Sequence, residues 1–90
     1  MEDSKKEYNA KLTTKELEVL AEQGDSCSQN DIGICYLNGY GVEKDLQKAV
    51  KWLTKSVKQG FASAQYNLAR CYMDGEGVEQ DMKKAAGLFS

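Results

Sequence analysis

The chain has 90 residues, a formal charge of −2 and a sequence pI near 5.1. That length allows one small domain, and that charge gives no basic field to hold nucleic acid. No apolar run approaches the ~20 residues of a membrane span, and histidine is absent.

Residues 1–12 read as a polar lead-in, frayed or helical at best, with Tyr8, Ala10 and Leu12 its apolar members. Its order is not the basic-then-apolar order of a secretion signal, and Glu2 stands where N-myristoylation needs glycine. The expected address is the cytosol; a secreted effector fits the same residues. Residues 13–24 read as a capping helix. Thr13-Thr14-Lys15-Glu16 fits a capping box, Leu17, Leu20 and Ala21 form an apolar stripe, and Gly24 supplies the left-handed end.

From Gly24 onward the chain repeats itself. Displaced by 36 positions, Gln23-Gly24 falls on Gln59-Gly60, Gln29 on Gln65, and Cys35-Tyr36 on Cys71-Tyr72. Gly39 falls on Gly75, Gly41-Val42-Glu43 on Gly77-Val78-Glu79, Asp45 on Asp81, and Lys48-Ala49 on Lys84-Ala85. Ordinary composition supplies about two such matches by chance. A fixed period of this size is the mark of stacked helical units.

The first unit spans residues 25–60. Asp25 or Ser26 caps a helix that reaches Asn38, with Ile32, Cys35 and Tyr36 as its buried stripe and Gly33 admitting a neighbouring helix. The connector Gly39-Tyr40-Gly41-Val42-Glu43-Lys44-Asp45 provides two positive-φ positions, an apolar fold-back at Val42 and a cap at Asp45. It lacks the third glycine and preceding strand of a phosphate loop. A second helix from Leu46 to Gln59 carries Ala49, Val50, Trp52, Leu53, Ser56 and Val57 on one face, with Trp52 as an inter-helix anchor. The second unit, residues 61–90, repeats this plan with Leu68, Cys71 and Tyr72 and stops short in its last helix. Its acidic connector has the wrong glycine offsets for a calcium loop.

Of the three cysteines, Cys27, Cys35 and Cys71, the last two hold the same repeat position and read as packing thiols, and no disulfide is expected. Neither metal nor cofactor is expected. Without histidine or a glycine-framed serine, the usual nucleophile–base pairs are missing, so no enzymatic activity is expected.

The pattern Ala64-x-x-x-Leu68-Ala69-x-x-Tyr72-x-x-Gly75-x-Gly77-Val78-x-x-Asp81-x-x-Lys84-Ala85 resembles the Sel-1-like repeat, a relative of the tetratricopeptide repeat. Ile32, Gly33, Tyr36, Gly39, Gly41, Val42, Asp45, Lys48, Ala49 and Trp52 carry it in the first copy. Ser28, where the family has alanine, and Gly87, inside the last helix, depart from it. The resemblance implies an all-α fold, an α/α solenoid of about five helices, acting as a scaffold or adaptor that binds a protein or peptide. An immunity or inhibitor protein that blocks a toxin or enzyme is the alternative. It implies too that the side one step round from the buried stripe lines a concave groove: Asn30, Ile34 and Leu37, then Tyr66, Arg70 and Met73. With its second unit cut short, the chain is expected either to be a fragment of a longer array or to have its open C-terminal end covered by a partner or a second copy.

Overall fold

In a computed structural model, which describes residues 12–89, five α-helices follow one another without strands among the described residues. They are α1 (Thr14–Glu22), α2 (Ser26–Asn38), α3 (Leu46–Lys58), α4 (Ala62–Asp74) and α5 (Met82–Phe89). The expected lead-in, up to residue 11, and Ser90 lie outside the described residues.

Local chemistry sets the helix ends. At α1 the Glu16 amide donates to the Thr13 hydroxyl at 3.1 Å, and the Thr13 amide donates to the Glu16 carboxylate at 2.9 Å. Asp25 caps α2 by accepting from the Ser28 amide at 2.9 Å and its hydroxyl at 2.6 Å. Those two bonds hold the Asp25 carboxyl below its ordinary range. They also account for serine at a buried position, since the Ser28 hydroxyl has a partner there. Asp45 accepts from the Lys48 amide, and Asp81 from the amides of Lys83 and Lys84. Phe61 precedes α4 without a side-chain cap.

The two connectors are built alike. Gly39 and Gly75 take φ of 74° and 71°, and their amides donate to the carbonyls of Cys35 and Cys71. Each loop then closes backward: the Asp45 amide donates to the Tyr36 carbonyl and the Asp81 amide to the Tyr72 carbonyl, both at 2.9 Å. Val42 and Val78 fold onto the core beneath.

Each helix packs chiefly on its neighbours in sequence, and α2 and α4 touch only lightly. One apolar cluster joins Leu17, Ala21, Ile32, Tyr36 and Ala49; a second joins Leu53, Ala64, Leu68 and Cys71, and Leu37 packs against both. Gly33 explains the close approach of α2 and α3, because a Cβ there would lie 2.9 Å from Leu53 Cγ. Three expected stripe members, Leu20, Cys35 and Tyr72, are half-buried rather than buried. Glutamines tie the helix ends together. Gln29 donates to the Ala21 carbonyl at 3.1 Å, and Gln59 donates to the Gly24 carbonyl at 2.9 Å and to the Gln29 side chain at 3.0 Å.

Candidate interaction surface

Six residues one step round from the buried stripes were expected to share a face. Helical spacing does place Asn30, Ile34 and Leu37 along α2, and Tyr66, Arg70 and Met73 along α4. Packing then divides them into three environments.

Asn30 is not available to a partner. It is buried, and its side-chain oxygen accepts from Asn67 Nδ2 at 3.0 Å. A lone buried amide would be costly, so α2 and α4 are held in register where they meet by this polar pair. The helical wheel could not show this, because Asn67 lies on a different helix.

Ile34, Leu37 and Arg70 come together. They line a cavity of about 260 Å³ between α2 and α4, with Asn38, Lys44, Asn67, Cys71 and Glu76 completing its walls. Lys44 and Glu76 arrive from the two connectors. Ile34 and Leu37 give it a small apolar part, while two cations, one carboxylate and two amides make its walls mostly polar, so the cavity suits a polar side chain with an apolar stem. Spacing along single helices missed Asn38, Lys44, Asn67 and Glu76, since only the splay of α2 from α4 brings them together.

Tyr66 and Met73 are exposed away from that cavity's walls. Tyr66 lies 6.1 Å from the Phe89 ring, tilted by 53°, and the Arg70 guanidinium sits 6.0 Å from the Tyr66 centroid. These three form an aromatic and cationic cluster at the α5 end of the stack.

Cys35 and Cys71 pack against the two apolar clusters, and Cys27 does not. Cys71 is buried, Cys35 half-buried and Cys27 exposed. Burial, reinforced by the Glu76 and Asp74 carboxylates against a smaller opposing effect of Arg70, pushes the Cys71 thiol up to about 11. Burial and the Asp31 charge raise Cys35 as well, and Cys27 is raised by burial and the charges of Asp31 and Asp25. Thiols shifted in this direction are poor nucleophiles at neutral pH. Among the described residues no three or more of His, Cys, Asp and Glu are grouped to hold a metal ion. None of the described helices is long and apolar enough to cross a membrane.

Known proteins share both sequence and fold with this chain. The Sel1 repeat family model matches residues 28–61 and 62–90. A putative sel1-like repeat-containing protein, L18 of Acanthamoeba polyphaga mimivirus, is 42% identical over 40 residues, which cover 44% of this chain and 7% of that relative. A protective antigen of uropathogenic Escherichia coli displaying an SLR fold superposes with a TM-score of 0.83 at 35% identity, over 87% of this chain and 17% of that one. A Sel1 repeat protein from Oxalobacter formigenes gives 0.79 at 35% identity, over 83% and 56%. The cysteine rich protein B of Helicobacter pylori gives 0.79 at 26% identity, over 84% and 57%. The chain thus spans a small part to just over half of the length of these relatives.

Proposed function

Because the chain belongs to the Sel1 repeat family, whose repeats generally serve as protein–protein interaction modules, we propose that it is a non-catalytic adaptor. It binds a protein or peptide in the cavity between α2 and α4. Residues 13–24 act as a cap, residues 25–60 as one repeat and residues 61–90 as a second in this reading.

The observation that carries it is the convergence of Ile34, Leu37 and Arg70 on one 260 Å³ hollow. The first two offer partly buried apolar surface, and Arg70 is exposed. An exposed guanidinium beside partly buried apolar side chains is a group of the kind enriched at interface hot spots.

The test is affinity capture with the intact chain, followed by titration of a captured partner. Arg70→Ala and Ile34→Ala should each weaken binding by about 2 kcal/mol, with helicity unchanged. Lys58→Ala, on the exposed surface of α3, should leave affinity as it was. Equal behaviour of all three variants would remove the cavity as the site.

A further inference from the structure

All the walls of the hollow between α2 and α4 lie within residues 34–76, so both helices and both connectors that form it are present. Its volume, about 260 Å³, falls below the roughly 300–1,000 Å³ of small-molecule sites. One side chain is what the space suits.

Charge decides which side chain. Lys44 reaches the hollow from the first connector and Arg70 from α4, and Glu76, from the second connector, is the single carboxylate among its walls. All three are exposed, and neither cation forms an ion pair with a described residue. Two positive charges against one negative leave the hollow net positive, on a chain whose total is −2. The amides leave the choice open. Asn38 donates to the Ile34 carbonyl at 3.1 Å and Asn67 to the Asn30 side chain at 3.0 Å, so each keeps one N–H and its oxygen for a ligand.

We propose that this hollow receives a glutamate side chain of the partner, its carboxylate between Lys44 and Arg70 and its methylenes on Ile34 and Leu37. The proposal rests on the reading of this cavity as the binding site. A carboxylate only accepts hydrogen bonds and the two cations only donate them, and a guanidinium can meet it with two parallel N–H groups. A lysine or arginine from the partner would face two like charges and gain only Glu76. A wholly apolar side chain would strip water from both cations and replace none of it. Aspartate carries the same charge on a stem one methylene shorter, so it covers less of the apolar part. Exposed charges are screened beyond ~10 Å at 0.1 M salt, so binding should weaken as salt rises.

Selection from a displayed library of random peptides, with the intact 90-residue chain as bait, tests it. The selected peptides should share a glutamate, and a synthetic copy with that glutamate changed to glutamine should bind at least about tenfold more weakly. Glu76→Gln should tighten binding of the original peptide. Arg70→Glu leaves one cation against two carboxylates in the walls and should select lysine or arginine where the parent chain selects glutamate. Peptides that bind without an acidic residue, yet are lost with Ile34→Ala, overturn the proposal and leave the cavity as the site. An unchanged preference for glutamate with Arg70→Glu, in peptides still lost with Ile34→Ala, overturns it in the same way. Peptides indifferent to both Ile34→Ala and Arg70→Glu overturn the cavity itself, as does a library that yields no binder.

Discussion

The Lys48 ammonium lies 5.3 Å from the centroid of the Tyr36 ring, and one period later Lys84 stands 5.5 Å from that of Tyr72. The contact joins the two helices of each pair across the connector. It gives a physical reason for two of the matches between the copies: tyrosine after cysteine, and lysine before alanine. A cation over an aromatic face at a partly exposed site is worth about 0.5–1 kcal/mol. A double-mutant cycle with Lys48→Met and Tyr36→Leu, read by urea unfolding, should return a coupling of that size. A coupling of zero would reduce the pair to coincidence.

The positive-φ glycines should not be equal in cost. Gly60 takes φ of 82° with nothing within 4 Å of a built Cβ, so Gly60→Ala should cost about 1 kcal/mol of backbone strain alone. Gly77 takes φ of 74°, and its Cβ would run into the Leu46 carbonyl and lie 2.9 Å from Val50 Cγ2. Gly77→Ala should therefore cost at least about 1 kcal/mol more than Gly60→Ala. At Gly41 the obstruction is the Thr14 side chain, 2.8 Å from the built Cβ, which can turn aside. Gly41→Ala should fall between the other two, and equal melting temperatures for all three would contradict the ranking.

Cys71 should make the fold sensitive to alkali. Its folded pKa, about 11, stands above the ordinary 9.0, so the folded state holds this proton more tightly. The resulting stability is fully present below pH 9 and is lost as pH rises toward 11, by at most about 2.7 kcal/mol. Cys71→Ala loses packing at every pH but abolishes this slope. The stability gap between the parent chain and the variant, measured by denaturant, should narrow from pH 8 to pH 11. A constant gap would show that the thiol does not titrate as described.

The Asn30–Asn67 pair should be costly to halve and cheap to replace. Asn30→Ala deprives Asn67 of its 3.0 Å partner and should destabilise by about 1–3 kcal/mol. Asn30→Leu combined with Asn67→Leu should recover most of that loss, since both polar groups leave together. A double variant as unstable as the single one would point to packing, not hydrogen bonding.

Sequence and structure agree where the signal is local. The capping box at Thr13, the span of α2, the left-handed Gly39 and the cap at Asp45 rest on residues within a few positions of one another. Local steric and hydrogen-bonding rules suffice for these. The period of 36 likewise carried the order of the helices and the stacked fold. Burial across units was not legible. Displacement by one period aligns Asn30 with Tyr66, yet the partner that buries Asn30 is Asn67, one position further on. The cavity was half legible. Ile34, Leu37 and Arg70 follow from helical spacing, but Lys44 and Glu76 depend on where two loops come to rest beside helices that touch only lightly.

Neighbour-to-neighbour packing has a consequence for how the molecule opens. With α1 and α5 each resting on a single main neighbour, their amides should exchange with solvent soonest and those around Leu53 in α3 last. Leu37 is in contact with both apolar clusters. Together with α3, which carries Ala49 of one cluster and Leu53 of the other, it couples the two halves, so truncating Leu37 should let them peel away more nearly in sequence, as links in a short chain.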